Sequence, residues 1–349
     1  MNKLTKIFLV VITSISLSFS AIAGELSVTG SAKASYVIGG TDENVGKGIG
    51  ISNEFTLGAS GELDNGYTWN YAIDLDPNAG GTIDQDDQAL TLATPFGTVG
   101  MFVSEGGLST ELGYGIGANG VGFDYASPMT FVHGYDVSSY SSIQYHMPAD
   151  MLPFGIVAKY AYVPNMRATG DSADFKAGVT TTAATTLGAS ADMIQIKATP
   201  IDGLSVGGDY FTTKDADVTK EPNSGNLFAK YTMGAFSVGV NAGFSDVGTN
   251  GGAVATRYDN RSMGIQYALN DAINLSYSRD KSDQVTNALI VAGAKSNVKT
   301  SVESMVESMQ ISYNVGGATL GIAHQDADDS DYTANKDEQM TVVSVVMAF

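Results

Sequence analysis

Hydrophobic and polar residues alternate along most of this chain with a period of two, the pattern of β-strands that have one apolar and one polar face. The clearest segment runs from Tyr67 to Leu75, where aromatic and aliphatic residues take the odd positions and polar or small residues the even ones. The same alternation recurs in residues 55–59, 154–162, 236–244, 263–269 and 273–277. No segment shows a comparable helical repeat, so the pattern predicts an all-β protein.

About sixteen strands fit this template. They are predicted at residues 25–37, 51–63, 66–76, 86–94, 98–104, 138–147, 154–163, 190–199, 203–212, 224–233, 235–246, 259–269, 272–281, 303–314, 317–326 and 338–349. An even number of antiparallel strands returns both chain ends to one side, as a single-chain bacterial membrane barrel requires.

The connections between these strands alternate between short and long. Short turns at 64–66, 95–97, 201–202, 234, 270–271 and 315–316 alternate with long polar links at 38–50, 105–137, 164–189, 247–258 and 282–302. All eight prolines fall in the predicted connections, which suits a closed sheet because proline cannot donate a ladder hydrogen bond. Short turns on one side and long loops on the other are typical of a transmembrane antiparallel β-barrel with periplasmic turns and outer loops.

The first residues resemble a secretory signal peptide. Lys3 and Lys6 precede an apolar stretch from Ile7 to Phe19, and Ala21 and Ala23 form an A-x-A cleavage pattern. The alternative, a membrane anchor, fits less well because the apolar stretch has about half the length needed to span and is interrupted by serines. We therefore expect a signal peptide at 1–23 and one barrel domain at 24–349.

Charge and composition narrow the class of protein further. Removing Lys3 and Lys6 changes the formal charge from −19 to −21, which excludes nucleic acid as a natural partner. No cysteine is present, so an exported chain must gain its stability without disulfides. Hydropathy near zero together with 41 glycines and 17 tyrosines suits a barrel whose strands face lipid on one side and water on the other.

Two motifs that suggest an enzyme lack the context that catalysis needs. Residues 203–207 match G-x-S-x-G, but Ser205 lies in an alternating strand and not in a strand-to-helix turn. Residues 115–120 match G-x-G-x-x-G without a surrounding βαβ unit. We expect no catalytic residue.

Metal-binding signals are weak. The three histidines, His133, His146 and His324, are far apart in sequence and have no helical zinc spacing. The acidic segment 326–331 lacks the glycine and the closing glutamate of an EF-hand. The sequence predicts no metal site and no cofactor, although loosely bound Ca²⁺ or Mg²⁺ could bridge acidic loops of this kind.

Three segments resemble the Gram-negative trimeric porins, a family of general diffusion channels with sixteen strands. The first is the turn Phe96-Gly97-Thr98-Val99 after Ala89-Leu90-Thr91-Leu92, and the second is the strand Tyr140-Ser141-Ser142-Ile143-Gln144-Tyr145. The third is the chain end, with Val343, Val345, Met347 and Phe349. In such a protein the terminal phenylalanine is the signal that the outer-membrane assembly machinery reads.

The resemblance also implies a third outer loop, here 105–137, that folds into the barrel lumen and narrows it. Its acidic residues would be Glu105, Glu111, Asp124 and Asp136, facing Lys33 and Asp74 on the wall. Lys33 matches the family's arginine cluster only weakly. The polar phase of the strands predicts further lumen-wall residues at Glu54, Glu62, Lys159, Lys197, Asp209 and Lys230.

These observations predict a water-filled channel in a Gram-negative outer membrane for passive diffusion of small hydrophilic solutes and ions. Carboxylates at a constriction favour cations, so we expect weak cation selectivity. The expected partners are outer-membrane lipid, lipopolysaccharide, the assembly machinery and two further copies of the chain. The alternatives are a substrate-specific outer-membrane channel and a secreted soluble β-protein or adhesin.

Overall fold

The computed structural model describes residues 24–39, 48–77, 83–116, 131–166, 189–214, 220–248, 255–287 and 299–349. The predicted signal peptide with Ala21 and Ala23, and the predicted constriction residue Asp124, lie outside these ranges. The described residues form one closed antiparallel barrel of sixteen strands in which each strand pairs with its neighbours in sequence and β1 pairs with β16. The predicted all-β transmembrane barrel is confirmed.

The strands, in chain order, are β1 (Glu25–Gly39), β2 (Gly48–Glu62), β3 (Thr68–Pro77), β4 (Ile83–Thr94), β5 (Gly97–Val103), β6 (Ser141–His146), β7 (Val157–Val163), β8 (Ser190–Ile201), β9 (Leu204–Lys214), β10 (Asn223–Met233), β11 (Phe236–Asp246), β12 (Ala255–Ala268), β13 (Ile273–Asn287), β14 (Lys299–Val315), β15 (Ala318–Asp328) and β16 (Glu338–Ala348). Four short 3-10 turns lie at Glu111–Tyr114, Val137–Ser139, Pro153–Gly155 and Ser330–Tyr332. Among the residues described, no helix is long and apolar enough to cross a bilayer.

Strands β12, β13 and β14 are longer than the alternation predicted. Residues 255–258, 282–287 and 299–302, expected in loops, continue these strands. Outward charged side chains in and next to these extensions pair with one another, as in Arg257 with Asp259 at 2.8 Å and Lys281 with Glu303 at 2.5 Å. A spanning strand needs only about 9–11 residues, so these strands extend beyond the hydrocarbon layer, where charge is tolerated.

Other corrections are local. Strands β6 and β7 begin later than predicted because residues 137–139 and 153–155 form 3-10 turns. Two prolines expected in connections lie in strands: Pro77 is the last residue of β3, and Pro200 lies in β8 beside a register shift between Ala198 and Ile201. Strand ends and bulges are the positions where a missing N–H costs little.

The two faces of the barrel differ in chemistry. The outward face carries large hydrophobic side chains that are exposed in the isolated barrel, such as Ile49 at 84% and Leu227 at 70%. Aromatic side chains also pair on this face, as in Phe236 and Tyr267 with ring centroids 4.5 Å apart. The inward face is mostly small or polar, so the barrel shows an apolar face to lipid and a polar face to a water-filled lumen.

The chain end closes the barrel. Phe349 and Gly30 exchange two backbone hydrogen bonds, with N···O distances of 2.9 and 3.0 Å, next to the β1–β16 ladder. The Phe349 ring lies on the outward face, 5.6 Å from the Phe55 ring. Pairing of the last strand with the first removes the exposed strand edges that an open sheet would present.

Candidate functional site: the constricted lumen

We call the connection between β5 and β6, residues 104–140, loop 3, and the parts of it that the structure describes turn back into the barrel. Its described parts are an outgoing leg, 104–116, and a returning leg, 131–140. The outgoing leg starts at Ser104, whose φ of +53° redirects the chain at the end of β5. Both legs lie against the lumen face of the wall, so loop 3 narrows the lumen as the sequence resemblance implied.

An apolar core fastens loop 3 to β7, β8 and β9. Its members, all fully buried, are Leu108, Val137, Ala161, Val163, Ala191, Met193 and Phe211. Leu108 and Val137 come from the two legs, and the Phe211 ring stacks with Tyr135 at 5.5 Å and with Tyr140 at 6.4 Å. This stretch of wall is apolar on its inward face because loop 3, and not water, covers it.

A second apolar contact holds the outgoing leg against β10, β11 and β12. Tyr114 and Ile116 pack on Phe228. The wall opposite them has glycines, and a Cβ added at Gly239 or Gly264 would come within 2.5 Å of Tyr114 or 2.3 Å of Ile116. These glycines allow loop 3 to approach the wall closely.

Asp209, predicted as a lumen-wall charge, lies under loop 3 and is only 8% exposed. Its carboxylate accepts hydrogen bonds from the Thr110 N–H at 2.7 Å, from the Thr110 hydroxyl at 2.6 Å and from the Asn226 amide at 3.2 Å. Gln195 donates to the Leu108 carbonyl at 2.7 Å beside it. A buried carboxylate with several donors is a strong anchor, so Asp209 positions the loop.

Asp136, predicted at the constriction, joins the two legs of loop 3. Its two carboxylate oxygens accept the N–H groups of Leu108 at 2.8 Å and of Ser109 at 3.2 Å. Asp136 therefore stabilises the fold of loop 3 as well as contributing negative charge to it.

Glu111 pairs with His133 across the two legs through a short contact between Oε1 and Nδ1. Burial alone would lower the pKa of His133, but the hydrogen bond and the negative charge of Glu111 outweigh it and raise that pKa above its ordinary value.

Tyr114 donates to Asp280 of β13 at 2.9 Å. Burial and the charge of Asp280 raise the pKa of Tyr114, which keeps it a donor.

Three carboxylates converge at the outer end of the lumen, and we call them the acidic triad. Asp74 of β3, Asp87 of β4 and Glu105 of loop 3 place one ligand atom each within 4.8 Å of one another. All three are half-buried, and the Oδ1 atom of Asp74 is buried without a hydrogen-bond partner among the residues that the structure describes. Such a group attracts cations, whether passing or loosely held.

The other predicted wall charges all point into the lumen. Lys33 on β1 is only 8% exposed. Glu54 on β2 lies diagonally from it, and the side chains of Glu54 and Glu62 are exposed to the lumen. Lys159, Lys197 and Lys230 are half-buried on β7, β8 and β10. Lys230 reaches the Gly115 carbonyl at 3.4 Å and so contacts loop 3.

Several residues of the site carried no recognisable sequence signal. Asp87, Thr110 and Asp280 act through partners that are distant in sequence, and Gln144, which donates to the Gly106 carbonyl at 2.7 Å, is a further example. From the sequence alone, a glutamine on the lumen side of a strand could simply be hydrated by the water of the channel. Only the register of the closed barrel shows that these side chains meet loop 3.

The family model of Gram-negative porins matches residues 9–300. No curated protein sequence matches the chain.

Solved structures with the same fold include OmpT, an outer membrane protein of Vibrio cholerae, in its trimer form, at a TM-score of 0.63 and 14% identity over 94% of this chain and 100% of that one. An anion-selective porin from Comamonas acidovorans aligns at a TM-score of 0.62 and 13% identity, covering 93% of this chain and 100% of that one. A mutant of the Rh. blastica porin aligns at 0.57 and 15% identity, again covering 93% and 100%.

The family match contradicts the alternative of a secreted soluble β-protein or adhesin. The sixteen-stranded barrel, its polar lumen and the inward loop 3 agree with the match, which covers more than four fifths of the sequence. The chain belongs to the Gram-negative porin family and forms a channel in the outer membrane.

Proposed function

We propose that this porin passes small hydrophilic solutes and ions by passive diffusion and is weakly cation-selective. The acidic triad carries this proposal, because it places three carboxylates at the level where loop 3 begins to narrow the lumen. Rings of carboxylate in a pore lower the barrier for cations and raise it for anions. No reaction is needed for permeation, and we propose that the chain is not an enzyme.

The reversal potential in a salt gradient tests the selectivity. With residues 24–349 in planar bilayers and KCl more concentrated on one side, we expect a potential of the sign produced by K⁺ moving faster than Cl⁻. A potential of the opposite sign would show that the lumen lysines dominate. The Comamonas protein of the same fold is anion-selective, so the fold by itself does not decide this sign.

The outward position of most strand tyrosines favours general diffusion over a substrate-specific channel. Tyr160, Tyr210 and Tyr313 are each more than 40% exposed on the lipid-facing side of the barrel. They are therefore not available to bind a solute in the lumen.

The pair between His133 and Glu111 predicts a pH dependence of loop 3. Because the pKa of His133 is raised in the folded loop, the stabilising charge pair is fully present below the ordinary histidine pKa of about 6.5 and is lost as the pH rises through the raised pKa. We expect channel noise to increase over that upper range, measured in single-channel recordings. Glu111→Gln should remove this step, and an unchanged step in that variant would contradict the role of the pair.

We propose that the chain is exported by residues 1–23, cleaved after Ala23, and recognised for assembly through its last strand. The proposed role of the last strand in assembly is supported by the outward side chains of Val343, Val345, Met347 and Phe349, of which Phe349 is 60% exposed. An aromatic terminus on the lipid face is accessible to an assembly factor before the barrel closes.

Phe349→Ala should therefore lower the amount of folded porin in the outer membrane several-fold. The backbone pairing of residue 349 with Gly30 is retained, so refolding of the purified variant into detergent should change little. Heat-modifiable mobility on SDS gels measures both quantities, with Phe349→Tyr as the control that keeps the aromatic ring. Normal membrane levels of the alanine variant would argue against a terminal assembly signal.

We propose a homotrimer that contacts lipopolysaccharide through a charged outer belt. The belt consists of the outward charges on β12–β14, including Arg257, Arg279 and Lys281. Cationic side chains at the height of lipid headgroups can bind phosphate groups. Native mass spectrometry of the extracted porin tests both partners, since it should show three copies with bound lipopolysaccharide, and a bare monomer would contradict them.

Cofactors are not part of the proposed function. Asp331 already binds Lys336 at 2.7 Å, and the Asp329 carboxylate accepts the Asn335 N–H at 2.6 Å. These contacts leave at most a loose role for Ca²⁺ or Mg²⁺ at this acidic loop.

A further inference from the structure

The connection between β15 and β16, residues 329–337, turns into the mouth of the barrel, and we call it loop 8. Its 3-10 turn, Ser330–Tyr332, rests on the lumen face of β13 and β14. The Tyr332 N–H donates to Ser304 at 3.1 Å, and the Ser304 hydroxyl donates to the Asp329 carbonyl at 2.6 Å. Ser330 is fully buried and donates to Glu338 at 3.1 Å. Loop 8 is therefore seated on the inner wall.

Tyr332 connects loop 8 to the returning leg of loop 3. Its hydroxyl accepts the Val132 N–H at 3.1 Å and lies 2.7 Å from the hydroxyl of Ser282 on β13. Its ring contacts the Tyr258 ring of β12 at 5.2 Å. One side chain thus joins β12, β13 and the returning leg of loop 3.

An apolar contact reinforces the same junction. Phe131 of loop 3 and Tyr332 of loop 8 pack together on Val306 and Ala327, both buried on the inward face of β14 and β15. The anchors described above hold loop 3 to β6–β13. This contact extends the anchored stretch of wall to β14 and β15.

Val132 depends on few other partners. Its carbonyl accepts the Asn260 amide at 3.1 Å, and its N–H is satisfied by the Tyr332 hydroxyl. Removing that hydroxyl leaves a backbone donor of loop 3 to be solvated in another way. The position of the returning leg at Val132 should therefore respond to Tyr332 directly.

Loop 8 maintains Tyr332 in an unfavourable backbone conformation. Tyr332 has φ of +57°, a left-handed value that a bulky side chain rarely adopts, and its neighbour Asp331 has φ of +53°. The conformation is braced by Lys336, which binds Asp331 at 2.7 Å and Glu338 at 2.9 Å. Strain of this kind persists only where the surrounding structure enforces it and is common at functional positions.

We propose that Tyr332 is a positioning residue of the constriction, through which loop 8 fixes the returning leg of loop 3 at Val132. The proposal rests on the proposed function of loop 3 as the element that narrows the channel. The conformation of an outer loop then controls the width of the pore below it. Anything that lifts loop 8 from the wall would loosen loop 3 without breaking the barrel.

Single-channel recording of Tyr332→Phe tests the proposal. This change removes one hydroxyl and keeps the ring, so the fraction of time spent in a loosened, higher-conductance state should rise about five-fold, the size expected for one net hydrogen bond. Tyr332→Ala should add an increase in mean conductance. Tyr313→Phe, on the lipid-facing side and 43% exposed, is the matched control and should behave as wild type.

A chemical readout separates positioning from general stability. The chain has no cysteine, so Val132→Cys introduces one thiol on the returning leg of loop 3. Its rate of modification by a water-soluble thiol reagent should increase when Tyr332→Phe is added, while the heat-modifiable mobility of the barrel stays the same. Equal modification rates together with unchanged conductance and noise would overturn the proposal. If the wild-type chain shows no conductance steps at all, the channel function itself has failed, and the two failures are thereby distinguished.

Discussion

Phe211→Ala should convert the quiet, constricted channel into a wider and noisier one. Phe211 is fully buried between the wall and loop 3, where it stacks with Tyr135 and Tyr140. Truncating a buried phenylalanine costs about 3–5 kcal/mol, so the population of channels with a released loop should rise more than about a hundred-fold. Single-channel conductance and open-channel noise measure the effect.

The matched control for this prediction lies on the same strand. Tyr210 is adjacent to Phe211 but points outward and is 46% exposed, so Tyr210→Ala should leave the conductance unchanged. The barrel ladder is intact in both variants, and both should keep heat-modifiable mobility. A Phe211→Ala channel with wild-type conductance and noise would show that the apolar core does not hold loop 3.

Neutralising the acidic triad should shift the reversal potential towards anion selectivity. In the variant Asp74→Asn, Asp87→Asn and Glu105→Gln, the lumen loses three negative charges and keeps Lys33 and the other wall lysines. At about 4.8 Å each carboxylate interacts with a monovalent ion by about 1 kcal/mol in a water-like dielectric, and more strongly in a confined lumen. The cation-to-anion permeability ratio should therefore fall several-fold in a KCl gradient.

The outer face provides the control for the triad as well. Asp283 and Glu303 face each other on the outward side of β13 and β14, away from the conduction path. Replacing them by Asn and Gln changes the net charge of the protein by two without altering the lumen. If this pair shifts the reversal potential as far as the triad does, the selectivity follows from overall charge and not from the constriction.

The strands could be predicted because alternation is a local property of the sequence. Within Tyr67–Leu75 the alternation itself shows which side chains share a face of the strand, and short turn sequences mark where such strands end. Strands β12–β14 were predicted too short because charged residues such as Arg257 and Asp283 indicate loops, whereas here both lie in strand ladders and Arg257 pairs with Asp259 of the same strand.

The constriction could be predicted only in outline. The resemblance gave the place of loop 3, but the pairing of Thr110 with Asp209, or of Val132 with Tyr332, depends on the register of the whole barrel. One signal was present in the sequence: Val157–Val163 is apolar on both faces apart from Lys159, as expected for a strand covered on both sides. That pattern marks where loop 3 is fastened.

The most direct test of a channel narrowed by loop 3 is the single-channel conductance of refolded residues 24–349 in a planar bilayer. Insertion should produce uniform, discrete steps of conductance, with Phe211→Ala giving larger and noisier steps under the same conditions. The absence of steps from the folded wild-type barrel would contradict the account.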